Sequence, residues 1–418
     1  MKNNGLIILM LALIAGLVFL MATSNSDQQV NFANRQNEPA SALFGQLNSN
    51  NVQGRINPGR ITPYPVKTAA YWTRPIMYEN DALNLAKHDL VIVDLENMFN
   101  NRQVLLLLKS LNPNLKLIAY SNPMEIFTET HTSRPWQAQK IKEIIERRQA
   151  WLLKTIVFEA GAKMREDYAR FYPGMTMLNM SSVCPKINGE TYTEWIAKKI
   201  RTEILVDSIW DGYFMDNGTS NIAWTNHQDG QRKSIDIDGN RRPDSDAYVD
   251  LKWKEGVNKY LDLVVSEPQP FSQRLLSFLG KKKKSVRKDM IIISNKGDLY
   301  LTDRVDGKFF EKFPNDYLGD KWAGGWGQCL QNAEKTGEYT IFNVAHANET
   351  MFALASALLL DNVYISISQD NAGVFPELEI DLGRPLEKYR HQNGIYTRRY
   401  QHGLVRVNPL AKKGEIIR

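Results

Sequence analysis

Residues 208–221 read SIWDGYFMDNGTSN. The apolar stretch from Ile209 to Met215 has the character of a short buried strand, and it stops at Asp216-Asn217-Gly218. A carboxylate at the tip of a buried strand needs a reason, because an unpaired charge in the interior is expensive. Asp216 either satisfies local backbone, as a helix cap or an Asx turn with Gly218, or it projects from a rigid strand into a cleft. The choice depends on how the other strands of the chain end.

Eight runs of strand type follow the N-terminal region: 69–73, 90–96, 115–121, 209–216, 290–295, 307–311, 339–344 and 363–368. Most are apolar throughout rather than alternating, as expected of parallel strands covered on both faces. Helical segments separate them, so the chain reads as repeated βαβ units. The expected fold is α/β, a (β/α)8 TIM barrel over 68–392 with inserted loops. A doubly wound open sheet is the competing architecture, but no Gly-rich nucleotide loop follows the first strand. TMLNM (176–180) is left over and is assigned to an inserted hairpin. The stretch 133–155 reads as one long helix, with Ser133 as N-cap and Pro135 in its first turn. The tail NGIYTRRYQHGLVRVNP (393–409) reads as a β-hairpin around His402-Gly403, within a C-terminal extension over 393–418.

The chain has 418 residues, 43% hydrophobic and 10% aromatic, enough for a sizeable core. The net charge of +6 is small for this length, and the run Lys281 to Lys284 lacks the aromatic neighbours of a base-stacking surface. It reads as a solvated loop, and no nucleic-acid partner is expected. Residues 5–22 are an uninterrupted apolar run after Lys2, so 1–24 reads as a signal peptide or an uncleaved membrane anchor. Residues 25–67, rich in Asn, Gln, Ser and Pro, read as a flexible polar linker. The expected location is secreted, periplasmic or cell-surface. Cys184 and Cys329 fit either one disulfide or two buried thiols.

Active sites of barrels of this type sit where the strands end. Those positions hold Asp94 and Glu96, Tyr120, Asp216 and Asn217, Asn295, Glu311, and His346 just beyond the seventh run. Two carboxylates in one barrel mouth are what glycoside cleavage requires, one to protonate the leaving oxygen and one to attack carbon or activate water. That chemistry needs no cofactor. Aromatic residues near the strand ends suit sugar rings: Tyr71, Trp72, Tyr120 and Trp326, with Phe127, Tyr213 and Trp322 also in range, although core packing is the better reading for most of them.

The pieces YWT, VIVDLE, LIAY, WDGYFMDN, IIISN, GKFFEKF and GIYTRRYQHGLVRVNP together resemble bacterial glycoside-hydrolase TIM barrels. That group is distantly similar to endo-α-1,4-polygalactosaminidase and α-galactosidase-like enzymes. The resemblance covers residues 68–410, and DGYFMDN is its sharpest element. It implies a nucleophilic Asp ending strand four and an acid/base ending strand six, positions that Asp216 and Glu311 occupy. Asp94, Glu96, Tyr71, Trp72, Tyr120, Asn217, Asn295, Trp326 and His346 are then expected to bind substrate or tune the pair. The expected substrate is a bacterial exopolysaccharide or cell-surface glycan. The competing reading is a non-catalytic glycan-binding barrel serving polysaccharide assembly or export.

DIDGNRRPDSD (236–246) places Asp236, Asp238, Asn240 and Asp244 at spacings that suit calcium, but its glycine is not at the EF-hand position and no closing Glu follows. An ordinary polar turn is the simpler reading. The six histidines show no HExxH spacing, and no GxSxG elbow is present.

Overall fold

The computed structural model describes residues 66–129, 131–159, 164–230, 232–266, 290–314, 325–371 and 380–418. The expected anchor, nearly all of the linker, the lysine run and Trp322 lie outside these residues. Among the described residues no helix is long and apolar enough to cross a membrane.

The strands in chain order are β1 (Thr68–Trp72), β2 (Leu90–Asp94), β3 (Lys116–Ser121), β4 (Glu125–Phe127), β5 (Lys154–Phe158), β6 (Met164–Tyr168), β7 (Met175–Met177), β8 (Gly212–Met215), β9 (Lys233–Asp236), β10 (Ile291–Asn295), β11 (Gly307–Phe313), β12 (Thr340–Val344), β13 (Val363–Gln369), β14 (Arg390–Gln392), β15 (Ile395–Tyr400), β16 (Gly403–Asn408) and β17 (Lys413–Ile417). Eight of them close into a barrel in the order β1, β13, β12, β11, β10, β8, β3, β2. Every neighbouring pair in it is parallel. Each of the eight apolar runs holds one barrel strand, so the (β/α)8 architecture is the one the sequence leads to.

Both faces of these strands are covered. Ala69, Tyr71, Leu90, Ile92, Ile118, Phe214, Ile293, Phe309 and Ile341 fill the interior as one cluster. Their alternates Ala70, Trp72, Val91, Val93, Leu117 and Ala119 belong to a second cluster, which includes helix residues such as Leu105 and Leu108 of α3. The helices are α1 (Glu79–Leu85), α2 (Asn97–Asn100), α3 (Arg102–Leu111), α4 (Pro135–Arg147), α5 (Tyr192–Lys199), α6 (Asp246–Val264), α7 (Trp326–Glu334) and α8 (Thr350–Leu358). Each fully buried aliphatic side chain contributes roughly 1.5–3 kcal/mol, which is why strands covered twice carry so few polar residues.

Local differences from the sequence reading have physical causes. The fourth strand begins at Gly212, not Ile209. The Asp211 carboxylate accepts the Leu117 N–H at 2.7 Å and pairs with Lys109 at 2.8 Å, which ties off the turn before the strand. The helix expected over 133–155 stops at Arg147, and Lys154–Phe158 is a strand. Trp151 is held by rings of Tyr192 and Trp195, at 5.8 and 5.4 Å, and this packing overrides the helical period. Ser133 does not cap α4. Glu96 does so from the end of β2, accepting the N–H groups of Trp136 and Gln137 at 3.0 and 2.8 Å.

The segments after β3 and after β8 carry the insertions. β7 pairs antiparallel with β4, so TMLNM is outside the barrel as expected, and β5 pairs with β6 and β9 in a small antiparallel sheet. At the C-terminus β14 to β17 form an antiparallel sheet in which the expected hairpin is the β15–β16 pair. Gly414 lets this sheet approach α8 closely, since a Cβ there would lie 2.7 Å from the Met351 carbonyl. Cys184 and Cys329 are free buried thiols in separate core clusters.

Candidate active site

Asp216 follows the last residue of β8, and its N–H donates to the Ser121 carbonyl at 3.0 Å, so the ladder to β3 extends to it. The break comes at Asn217, which adopts a left-handed φ of 55°. Gly218 serves a close approach. A Cβ at this position would sit 2.2 Å from Ser294 Oγ, so only glycine lets the loop cross β10 this closely.

The Asp216 side chain is held from two neighbouring strands. The Tyr120 hydroxyl donates to Oδ2 at 2.7 Å and Asn295 Nδ2 donates to Oδ1 at 2.8 Å. The Asn217 N–H also donates to Oδ1, at 2.8 Å. The same Asn295 nitrogen donates to Glu311 Oε2 at 3.0 Å. One amide nitrogen therefore bridges two carboxylates, and their nearer oxygens lie within about 6 Å of each other by bond geometry alone. Glu311 sits where the β11–β12 register slips between Phe310 and Phe313, with Lys312 at a φ of 56°. Such irregularities re-aim side chains at barrel rims.

Below the pair the barrel is closed by rings. Tyr71 lies 4.8 Å from Phe309 and 5.9 Å from Tyr120, and Phe214 lies 5.6 Å from Tyr120 and 5.3 Å from Phe309. Burial, and then the Asp216 charge, push the hydroxyls of Tyr71 and Tyr120 well above the usual phenol range. Both therefore stay protonated, and Tyr120 remains a donor to Asp216.

A third carboxylate joins the pair. Glu125, on β4, is fully buried, and its Oε2 accepts Asn122 Nδ2 at 3.1 Å and Asn217 Nδ2 at 2.9 Å. Burial raises it to about 7, opposed by the Asn122 and Phe171 hydrogen bonds and reinforced by the Asp216 charge. Lys140, also buried, is lowered to about 8 by desolvation, with Glu96 and Glu125 opposing the shift. Sequence reasoning missed Glu125 because it looked only at the last residues of each strand. The signal available was a Glu four residues past Ser121, the last residue of β3.

Of the other expected residues, Tyr71, Tyr120, Asn217 and Asn295 gather around the pair. Asp94 lines an adjoining cavity of about 230 Å³ with Thr73, Tyr120, Phe127, Arg134 and Gln369. Burial raises Asp94 while its ion pair with Arg134 opposes the rise. Glu96 lines the same cavity, but both its oxygens are occupied in capping α4, and burial raises it to about 7. It braces the wall rather than presenting free oxygens to a sugar. Trp72 does not face the mouth, because it alternates with Tyr71 and lies in the outer core. Trp326 is likewise core, its indole N–H donating to Ser356 Oγ at 3.0 Å. Tyr213 points outward and bonds to Tyr260 at 2.6 Å. His346 is exposed on the loop after β12.

Asp236, Asp238 and Asp244 bring carboxylate oxygens within 4.8 Å of one another and could hold a metal ion. Much of their capacity is already used inside the turn. Asp236 accepts the N–H groups of Asn240 and Arg241 at 3.0 and 2.8 Å, and Asp244 that of Ile237 at 2.8 Å. Asn240 donates its own amide to Asp238 at 3.1 Å.

Among solved structures, a noncanonic maltogenic alpha-amylase from Thermotoga neapolitana matches with 11% identity and a TM-score of 0.39, over 82% of this chain and 86% of that one. A GH31 dextranase of Flavobacterium johnsoniae, complexed with glucose, matches with 11% identity and a TM-score of 0.40, over 76% of this chain and 39% of its own. A cycloalternan-degrading enzyme from Trueperella pyogenes matches with 12% identity and a TM-score of 0.35, over 78% and 46%. The chain thus spans under half the length of the last two. A search of curated proteins gave no match. The model of hypothetical glycosyl hydrolase family 15 matches residues 109–404, a span that runs from α3 to β16 and takes in Asp216 and Glu311, and the chain belongs to that family.

Proposed function

We propose that the protein cleaves the glycosidic bonds of a polysaccharide by double displacement, with Asp216 as nucleophile and Glu311 as general acid/base. The observation that carries this reading is the Asn295 amide shared between the two carboxylates. It supports a separation near the ~5–5.5 Å of retaining enzymes rather than the ~6.5–9.5 Å that leaves room for an attacking water. Asp216 would attack the anomeric carbon while Glu311 gives its proton to the departing oxygen, leaving a glycosyl ester on Asp216. Glu311 would then take a proton from water as that water breaks the ester. Tyr120 and Asn295 would hold Asp216 in line, and Asn295 would be the group that senses both charge states.

The substrate in this reading is a bacterial exopolysaccharide or cell-surface glycan. The apolar run at 5–22 supports an exported protein working on such material. The test is turnover of a glycan panel by the full chain, with the anomer of the first-formed product followed by NMR. Asp216→Asn and Glu311→Gln should each lower kcat by at least about a thousandfold. Unchanged cleavage in either variant would remove the assigned roles. A wild-type protein that retains glycans on an affinity gel and cleaves none would establish the non-catalytic binding barrel instead.

A further inference from the structure

The described tryptophans are buried with one exception. Trp224 is 45% exposed, whereas Trp72, Trp136, Trp151, Trp195, Trp210, Trp253 and Trp326 are at most 6% exposed. It sits on the loop that leaves Asp216, in the helical turn Ala223–Gly230. Its ring lies parallel to that of Phe171, with centroids 5.6 Å apart and planes at 12°. Tyr172, beside Phe171 on the β6–β7 connection, is 51% exposed. An exposed aromatic ring offers an apolar contact surface to a ligand.

Hydrogen bonds tie the two loops to the carboxylates and to their own turns. The Phe171 N–H donates to Glu125 Oε1 at 3.3 Å, and Glu125 reaches Asn217, next to Asp216, through its other oxygen. Burial, and then the charges of Asp216, Glu311 and Glu125, raise the Tyr172 hydroxyl to about 12. Ahead of Trp224, one Asp250 oxygen accepts the N–H groups of Ile222 and Ala223 at 2.8 and 2.9 Å. The Met175 N–H closes the turn back to the Tyr172 carbonyl at 3.3 Å. These bonds fix the backbone beside both rings, which lowers the ordering entropy lost on binding.

We propose that Tyr172 and Trp224 form a stacking platform for a pyranose unit of the polysaccharide, beyond the two sugars that flank the cleaved bond. This rests on the hydrolase reading and deepens it, because a subsite outside the acid pair makes the enzyme one that grips a chain rather than a disaccharide. The C–H face of a pyranose lies flat on an aromatic face. The carboxyl groups nearby disfavour an anionic sugar, so the bound unit carries no negative charge.

The experiment uses the full chain with two further variants, Trp224→Ala and Trp224→Phe, on a panel of neutral polysaccharides (an α-glucan, a galactan and a mannan). For the polymer that wild type cleaves, Trp224→Ala should raise KM about tenfold with kcat little changed, and Trp224→Phe should recover most of the loss. Tyr172→Ala should act in the same direction. Circular dichroism and melting curves matching wild type exclude misfolding, which would lower kcat instead. An unchanged KM in Trp224→Ala, with wild type active, overturns the platform and leaves the hydrolase reading standing. If wild type cleaves nothing, retention on polysaccharide affinity gels decides: retention lost in Trp224→Ala upholds the platform as a binding surface, and equal retention or none overturns it.

Discussion

The hydroxyl of Tyr120 donates to Asp216 at 2.7 Å, from β3 to the end of β8, across a pair of neighbouring parallel strands. The bond is charge-assisted and sits over a floor of rings, where such bonds are strong. Tyr120→Phe keeps the ring contacts with Tyr71 and Phe214 but removes the donor. A loss of about 1.5–3 kcal/mol of stabilisation at Asp216 corresponds to roughly 10- to 100-fold in kcat/KM. Melting temperature should change little, and steady-state kinetics beside calorimetry checks both.

Asn295 offers a sharper test. Asn295→Asp is nearly isosteric but places a third acid between Asp216 and Glu311, where an amide now donates to both. Like charges packed this closely cannot all ionise. The expected outcome is a loss of at least about a hundredfold in kcat and a displaced acid limb of the pH–rate profile. A profile that overlays wild type would show that the amide does not couple the pair.

Glu125 gives a pH prediction with a definite sign. Its native value of about 7 lies above the ordinary 4.5, so the folded state favours the protonated form. The stability this contributes is fully present below about pH 4.5 and is lost as pH rises through about 7. The size is on the order of 2–3 kcal/mol for a shift of this kind. The groups facing it are Asn122, Asn217, Lys140, the Phe171 N–H and Asp216. Glu125→Gln should flatten urea-unfolding stability over that window. Part of the slope should persist, because Glu96 titrates in the same range and with the same sign.

Gly218→Ala tests the loop crossing. The added methyl would meet Ser294 Oγ at 2.2 Å and Met215 Cε at 2.9 Å, so the loop must lift. About 1–3 kcal/mol of destabilisation is expected, with activity falling further than stability because Asp216 is two residues away. Pairing the change with Ser294→Ala should restore part of both.

How much of this was legible beforehand follows from the residues. The barrel could be read because strands buried on both faces are apolar in run after run, as LVIV is in β2 before Asp94 closes it. The same lack of alternation hides which way each residue points. Tyr71 and Trp72 look equivalent in sequence, yet one enters the barrel and the other leaves it. The sheet of β5, β6 and β9 was invisible, since β6 is MREDY and mostly exposed and its pairing is settled by partners distant in the chain. Asp216, Asn295 and Glu311 stood out as polar residues closing apolar runs, and the structure brings them together. Glu125 and Tyr172 lie on inserted segments, where no periodic pattern points to the mouth.

The ring-lined floor has a last consequence. Tyr71, Phe214 and Phe309 pack together inside the barrel, each at most 4% exposed. In the double displacement proposed above, the water that breaks the glycosyl ester would then enter by the doorway through which the first half of the substrate left. Small alcohols would queue at that same doorway, so methanol added to the reaction should be recovered as a methyl glycoside in proportion to its concentration.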